Sequence, residues 1–276
     1  SPDVEVIVGT GDNPATAIST GCLGRGYPVI SLGTSGVFMM PLERPEFQTK
    51  GKKILFSFDD EKFFFLVQGV VQCNGNTFDW WNRTIMDMKG FGKLNKALNV
   101  NQAAGNELMF YPHLDGDKTI YADPELHGAL TGISLATTQE DMFYAVVEGL
   151  CFAFRELAEK MKLPLERFGS VKVVGGGSRS PVWLQTMANV LDIPIEKVGG
   201  TIGPAFGIAL LAAYKGGSIS SLEQISDGNV NIECRYLPEK EAAAACERKY
   251  AKYLRMRDGL NYIRRGCLNE SETAEK

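Results

Sequence analysis

The stretch VKVVGGGSRSPVWLQTMANVL, residues 171–191, decides the fold that we expect for this chain. Its first four residues are mostly valine, which is typical of a buried strand, and a run of glycines follows them. Proline suits the first turn of a helix, so Pro181 marks the start of a helix that ends at Leu191. A strand over 193–197 and a helix over 203–214 continue this order. Strands that alternate with helices predict an α/β domain with a mixed sheet and helices on both faces.

The part of the chain before this stretch is rich in strands. Short β-branched and aromatic runs predict strands over 4–8, 28–32, 37–40, 53–56 and 63–67. Apolar residues at helical spacing predict a long helix over 138–161, with a capping box formed by Thr137 and Glu140. Further helices are expected over 76–88, 93–100 and 239–264. We see no linker and no short repeat in the sequence.

The composition is that of an ordinary globular protein of 276 residues, and it excludes several classes of function. The net charge is −4, whereas a nucleic-acid or anionic-membrane surface needs clustered lysine and arginine. No apolar run reaches the ~18 residues of a membrane-spanning helix. The six cysteines lack C-x-x-C spacing and the two histidines lack zinc-like spacing. We therefore expect reduced thiols in a cytoplasmic protein, with no metal held by the protein itself.

Three segments share one plan, in which an apolar strand runs into a glycine turn: VIVGTGDN (6–13), VISLGTSG (29–36) and VKVVGGGSRS (171–180). Such turns gather outside the strand ends of open α/β sheets, where ligands bind. Phosphate oxygens need convergent backbone N–H groups, and a Cβ would hold the backbone away from them. GTSG also suits a ligand-free hairpin, and GGGSRS a plain link between strand and helix. Neither a G-x-G-x-x-G nor a Walker-type site is supported.

Asp12 lies between the first glycine turn and the helix that Pro14 is expected to begin, and its carboxylate has two interpretations. Asp and Asn are preferred N-cap residues, so one interpretation is that Asp12 caps this helix. Asn13, directly before Pro14, can serve as that cap instead. The other interpretation is that Asp12 is a general base, because a carboxylate near a hydroxyl supplies that chemistry.

Taken in order, the motifs resemble those of the FGGY carbohydrate kinases, and of xylulose kinases in particular. The matching segments are GTGDN, SLGTSG, GALTGISLATTQEDMFYAVVE, VVGGGSRSPVWLQTMANVLD and GPAFGIALLAAYKG. The family's long signature is met by Gly128, Gly132, Ile133, Asp141, Met142, Ala145 and Glu148. The resemblance implies an actin-like ATPase (ribonuclease H-like) fold. It also implies that residues 1–276 form the C-terminal, nucleotide-binding domain, whose N-terminal sugar-binding partner domain is absent from this chain.

The resemblance assigns the chemical step to Asp12, which matches the family's catalytic base. The base takes the proton of a sugar hydroxyl while the hydroxyl oxygen attacks the γ-phosphorus of ATP. Gly33 and Thr34 match the turn that contacts the phosphates.

The resemblance assigns the adenine to the third glycine turn. Gly176 and Ser180 match positions that lie against the base, and Gly175 and Gly177 would allow close approach of the backbone. Mg²⁺ is expected between the phosphates of ATP, with few direct protein ligands.

D-Xylulose is the expected sugar, with D-xylulose 5-phosphate as the product, but one loop departs from the family. Many xylulose kinases carry a Gly-Glu-Arg-Thr-Pro-His-like loop where this chain has DGDKTIYADP (115–124). Asp117 and Lys118 keep the charges, whereas Ile120 and Tyr121 replace Pro-His. Ribulose, gluconate or another polyol therefore stays open.

The partners that the resemblance implies are the sugar, ATP, the N-terminal domain and, in a homodimer, a second copy. The isolated domain is expected to be inactive. A different class of function is an actin-like nucleotide-binding regulator that phosphorylates no sugar. A third, a sandwich-type binding module, is disfavoured by the strand–helix alternation after residue 171.

Overall fold

A computed structural model of the chain describes residues 4–24, 26–44, 49–57, 63–87, 91–200, 202–221 and 230–273. Its strands are β1 (Val29–Leu32), β2 (Gly36–Leu42), β3 (Lys52–Ser57), β4 (Phe63–Val71), β5 (Met109–Tyr111), β6 (Ala129–Thr131), β7 (Val171–Val174), β8 (Ile195–Val198) and β9 (Ile232–Tyr236). Its α-helices are α1 (Asp12–Ser19), α2 (Gly75–Trp80), α3 (Phe91–Ala97), α4 (Val100–Ala103), α5 (Gln139–Met161), α6 (Pro181–Leu191), α7 (Pro204–Lys215) and α8 (Lys240–Thr273). A π-helical turn (Trp81–Ile85) extends α2, and 3-10 helices span Leu165–Arg167 and Gly176–Arg179.

Seven of the strands form one mixed sheet in the order β3-β4-β2-β1-β7-β8-β9, and β5 pairs with β6 separately. β1 is antiparallel to β2 and parallel to β7. β7 is parallel to β8, and β9 returns antiparallel at the edge. The parallel centre of the sheet is therefore built from the strands that precede the second and third glycine turns.

Helices cover both faces of this sheet, as predicted. Alternate residues of a strand point to opposite faces. Ile30 and Phe38 belong to the larger core, which α5, α6 and α8 complete. Val29 and Met39 belong to the smaller core, which α1 and α7 complete. None of the helices in the described ranges has the length and apolarity of a bilayer-spanning helix.

The strand predicted over 4–8 does not form. This segment is irregular, and Val6 and Val8 are 93% and 92% exposed. β-Branched composition favours a strand only where a neighbouring strand supplies hydrogen bonds and a packed face, and no described strand pairs with this segment.

The capping box of α5 lies one residue later than predicted. Thr138 is the N-cap, its hydroxyl accepts the Asp141 N–H (3.1 Å), and Asp141 Oδ2 accepts the Thr138 N–H (3.0 Å). Thr137 instead accepts the Ser134 N–H (2.9 Å) in the preceding turn. The sequence offers the Thr-x-x-acid pattern in two overlapping registers, and only the path of the loop selects one.

A buried ion pair joins the central helix α5 to α8. Lys249 of α8 contacts Glu148 Oε2 and also donates to Asn106 Oδ1 (3.0 Å). Glu148 is 1% exposed and Lys249 is 5% exposed. Burial raises the pKa of Glu148 to about 7, against the opposing effect of Lys249. Glu148, the last residue of the signature matched above, therefore has a structural position in the core.

We expect Glu148→Gln to lower the free energy of unfolding at pH 8 by about 3–5 kcal/mol, because it leaves the buried Lys249 charge without its partner. The double variant Glu148→Gln/Lys249→Met should recover most of this loss. Urea denaturation measures both effects.

Glu247→Gln is the matched control, because Glu247 pairs with Arg155 at the surface, where its side chain is 65% exposed. Exposed pairs contribute about 0–1 kcal/mol. Equal losses for the two Glu→Gln variants would contradict the structural importance that we assign to the buried pair.

Candidate functional site

The second and third glycine turns lie side by side because they follow neighbouring parallel strands. β1 and β7 are in register from Val29↔Lys172 to Ser31↔Val174, so both strands end at the same edge of the sheet. A cavity of about 840 Å³ opens at this edge. Its lining residues are Leu32, Gly33, Thr34, Gly75, Asn76, Phe78, Asp79, Arg83, Asn95, Gly176, Gly177, Arg179, Ser180 and Trp183.

The cavity brings together most of the residues that were singled out from the sequence. Gly33 and Thr34 of the second turn face the same space as Gly176, Gly177 and Ser180 of the third. Gly175, which precedes Gly176 in the sequence, and Asp12 do not line it.

The turn at 33–35 is fixed through its carbonyl groups. Gly33 O accepts the Gly75 N–H (3.1 Å) and the Asn74 side-chain amide (3.0 Å), and Thr34 O accepts the Asn76 N–H (3.0 Å). Within the described part of the chain, no group accepts a hydrogen bond from the backbone N–H groups of residues 33, 34 and 35. This edge of the cavity therefore presents free backbone donors on a turn whose position is fixed from behind.

The glycines at 75, 175 and 177 are required by close contacts between protein segments. A Cβ at Gly75 would lie 2.4 Å from Gly33 O. One at Gly175, where φ is +93°, would lie 2.7 Å from Leu32 O, and one at Gly177 would lie 2.8 Å from Leu32 Cβ. A Cβ at Gly176 would meet nothing closer than the Arg179 guanidinium at 3.7 Å. The first three glycines allow the turns to approach each other, whereas Gly176 has open space before it.

Ser180 has a structural task that the sequence interpretation did not include. It is the N-cap of α6, its hydroxyl accepts the Trp183 N–H (3.1 Å), and it also contacts Asn95 Oδ1 of α3. The hydroxyl is thus engaged on both sides. The rings of Phe78 and Trp183, 4.8 Å apart, add apolar surface to the cavity wall.

Charged side chains at the cavity are exposed. Asp79 Oδ1 accepts from Arg83 Nε at 2.7 Å, and both side chains are more than half exposed. Among the described residues, the Arg179 side chain hydrogen-bonds to the carbonyl of its own turn, from Nε to Gly176 O at 3.4 Å. Sequence reasoning did not place Asn95, Asp79 or Arg83 here, because α2 and α3 reach the cavity through tertiary packing and no local motif marks them.

The tryptophan pair that follows the glycine at 75 does not line the cavity. Trp81 is 5% exposed and packs edge-on against Phe110 at 5.6 Å. Trp80 is 40% exposed beside it. Core packing thus accounts for Trp81.

Asp12 is the first residue of α1, and neither proposed N-cap is correct. Gly11 is the N-cap, and its carbonyl accepts the Ala15 N–H (3.0 Å). Asp12 Oδ1 accepts the Asn13 N–H at 2.7 Å, and the side chain is exposed. The carboxylate therefore satisfies one free donor of the first turn, where negative charge is favourable. The sequence pattern predicted Pro14 as the first residue of the helix. Pro14 is instead its third residue, so the N-cap is Gly11.

The strand order and the helices on both faces are those of the actin-like ATPase fold, and comparisons with known proteins give the family. The family described as "FGGY family of carbohydrate kinases, C-terminal domain" matches residues 29–216. The chain belongs to the FGGY family of carbohydrate kinases.

Relatives of known name support this assignment. The chain is 30% identical over 237 residues to a xylulose kinase of Bacillus subtilis, covering 86% of this chain and 47% of that protein. It is 22% identical over 256 residues to a gluconokinase of the same organism, covering 88% and 49%. The solved structure of a ligand-bound xylulose kinase from Lactobacillus acidophilus superposes with a TM-score of 0.82 at 22% identity, covering 95% and 53%. The chain thus spans about half the length of the relatives that it matches.

We expect Gly75→Ala to lower the free energy of unfolding by about 1–3 kcal/mol, because the new Cβ must push the turn at Gly33 away. Gly176→Ala should change it by no more than about 0.5 kcal/mol, since its Cβ enters open space. Urea denaturation of both variants tests the contact between α2 and the turn. Equal stabilities would show that this contact is looser than described.

Proposed function

We propose that this chain is the nucleotide-binding, C-terminal domain of an ATP-dependent sugar kinase. The observation that carries the proposal is the cavity at the common end of β1 and β7, where two glycine turns meet. The sugar, bound by an N-terminal domain, would receive the γ-phosphoryl group of ATP on a hydroxyl. D-Xylulose, giving D-xylulose 5-phosphate, is the first candidate, because relatives named xylulose kinase match most of the chain.

The phosphates fit the turn at Gly33 and Thr34. Its free backbone N–H groups can donate to anionic oxygens, and the bonds from residues 74–76 hold the turn rigid. The adenine fits the side of the cavity formed by Gly176 and Ser180, where Phe78 and Trp183 supply apolar surface. In this arrangement, backbone N–H groups bind the charged phosphates and the aromatic wall contacts the adenine.

Mg²⁺ would be held chiefly by the phosphates. The described residues contain no group of three or more His, Cys, Asp or Glu side chains that could form a protein cage. Mg²⁺ in kinases usually keeps several waters and uses substrate phosphates with one or two carboxylates, so the site fits this mode. When bound, the ion would neutralise charge that develops on the transferring group.

Asp12 is the general base of the proposal. Its carboxylate is exposed and contacts the Asn13 N–H, and no described cation pairs with it. It would accept the sugar hydroxyl proton while the oxygen forms its bond to the γ-phosphorus and ADP leaves with the electrons of the broken bond. Because Asp12 stands outside the cavity, this step requires a sugar-bearing surface to close over both.

The loop 115–124 does not line the cavity. Thr119 Oγ1 accepts the Val70 N–H (3.0 Å), and Tyr121 contacts Glu156 of α5. Gluconate stays a candidate, because gluconokinases are among the relatives.

We expect the chain to bind MgADP with a dissociation constant below 1 mM in isothermal titration calorimetry. Gly176→Leu should weaken this binding at least tenfold, because its side chain projects into the cavity without meeting backbone. Gly169→Leu is the matched control, since a Cβ there also meets nothing within 4 Å but lies outside the cavity. Absence of heat at millimolar MgADP would contradict the assigned site.

In a two-domain protein that contains this chain, we expect Asp12→Asn to lower kcat for the sugar by about 10²–10⁴, the usual contribution of a general base. MgADP affinity should not change. Asp192→Asn is the matched control, because Asp192 is exposed at the left-handed C-cap of α6, where Asn is well tolerated.

A coupled ADP-release assay with pentuloses, polyols and gluconate measures the turnover. Full turnover by the Asp12→Asn variant would contradict the assignment of Asp12 as the general base. ADP release that is independent of every sugar would instead favour the nucleotide-driven regulator.

A further inference from the structure

A second cavity, of about 360 Å³, lies at the opposite end of the sheet. It opens where β2 ends and where the chain leaves α5, so residues of β2, β4 and the 161–168 segment surround it. Drug-sized ligand sites are about 300–1,000 Å³, so the cavity suits a small molecule. It shares no lining residue with the first cavity.

The two cavities are separated by the length of β2. Gly36, at the start of this strand, is paired with Leu32 next to the glycine turns, and Leu42 at its end lines the second cavity. Six residues of strand correspond to about 20 Å at ~3.4 Å per residue. A ligand in the second cavity would therefore not contact a nucleotide in the first.

The inner surface of the second cavity is apolar. Met40, Val67 and Met161 are each no more than 2% exposed, and Phe168 is half-buried beside them. Methionine is unbranched and adapts to irregular shapes, so this floor can accept an apolar group of variable outline.

The rim of the second cavity is cationic. Arg44, Lys162 and Arg167 line it and are exposed, and the side chains of all three lack a hydrogen-bond or ion-pair partner among the described residues. Glu43 is the one carboxylate among the described lining residues, so the described part of the rim carries a net positive charge. Unpaired cations beside an apolar floor favour a ligand that has both an anionic group and an apolar body.

The backbone after α5 explains how Lys162 comes to stand at this rim. The helix ends in a Schellman motif in which Lys162 N–H donates to Glu159 O and Leu163 N–H donates to Ala158 O, both at 3.0 Å. Lys162 adopts φ +53°, a left-handed conformation for which glycine is the usual residue. A glycine would suit the backbone better, whereas lysine adds a charge to the cavity.

We propose that this second cavity binds a small organic anion, with its apolar body on the methionine floor and its charged group at Arg44, Lys162 and Arg167. A carboxylate, sulfonate or phosphate ester can supply the charge. The apolar body distinguishes this ligand from inorganic phosphate, and the separate set of lining residues distinguishes the site from the one proposed for the nucleotide.

The probe for the test is 8-anilinonaphthalene-1-sulfonate, an aromatic anion whose fluorescence rises on binding. We expect saturable binding of one probe per chain. Arg44→Ala/Arg167→Ala should raise its dissociation constant at least tenfold. Arg248→Ala, at an exposed arginine of α8 without a described partner, is the control and should leave it unchanged.

Lys162→Gly separates loss of binding from damage to the fold. It should weaken probe binding about threefold or more while raising the urea midpoint, because glycine relieves the left-handed conformation. Weaker binding together with a lower midpoint would indicate structural damage and would count against the proposal.

Competition experiments identify the class of ligand. Decanoate should displace the probe, whereas inorganic phosphate at the same concentration and ionic strength should not. Equal displacement by phosphate would overturn the role of the apolar floor. Displacement by MgADP, or binding unaffected by the rim variants, would place the probe elsewhere and overturn the proposal.

Binding of MgADP is measured independently in the same variants. The rim substitutions should leave it unchanged, so a failure of this proposal is distinguishable from a failure of the nucleotide site.

Discussion

The parallel pairing of β1 with β7 is the constraint on which the rest of the structure depends. This pairing brings the ends of the two strands to one edge of the sheet, although they are about 140 residues apart in the sequence. Gly175 then passes so close to the Leu32 carbonyl that a Cβ would lie 2.7 Å from it. The cavity, its free N–H groups and its aromatic wall all follow from this approach. Without it, GTSG and GGGSRS would be two unrelated turns.

Local sequence patterns were sufficient to predict the strands and helices that form this edge of the sheet. The helix over 181–191 was predicted to the residue, because Pro181 marks its start. The mixed sheet followed from valine-rich strands separated by glycine, and the long helix α5 from its apolar spacing. These signals are local, and the tertiary structure agrees with them.

The residues that were missed depend on contacts between distant segments. Asn95 reaches the cavity because Ser180 contacts it across 85 positions of sequence, and no pattern near Asn95 indicates this. The segment 4–8 has the composition of a strand, yet no described strand pairs with it. The predicted N-cap of α1 and the predicted capping box of α5 each lay one or two residues from the observed positions at Gly11 and Thr138. Several consecutive residues in each segment are of a type that can cap a helix.

The proposed chemistry is divided between two surfaces of this chain. The cavity offers backbone donors that suit a triphosphate, and α1 presents the Asp12 carboxylate outside it. α1 is held rigidly, because a Cβ at Gly207 of α7 would lie 1.8 Å from the Ala15 carbonyl, so the two helices touch backbone to backbone. A base fixed on a rigid helix but exposed to water can serve any hydroxyl, including that of water. Selective transfer to a sugar therefore needs closure that excludes water, which this surface alone does not provide.

The two cavities lie at opposite ends of the same packed unit, and this limits how a ligand in one can affect the other. β2 contributes to both ends, and α5 packs beneath it with residues from Phe143 to Leu157 almost entirely buried. A ligand shifts an equilibrium only when it binds two states of the protein with different affinity. Buried elements of this kind resist rearrangement, because a packed interior tolerates few alternative side-chain positions. An anion in the second cavity should therefore stabilise the domain by mass action and leave the nucleotide affinity as it was.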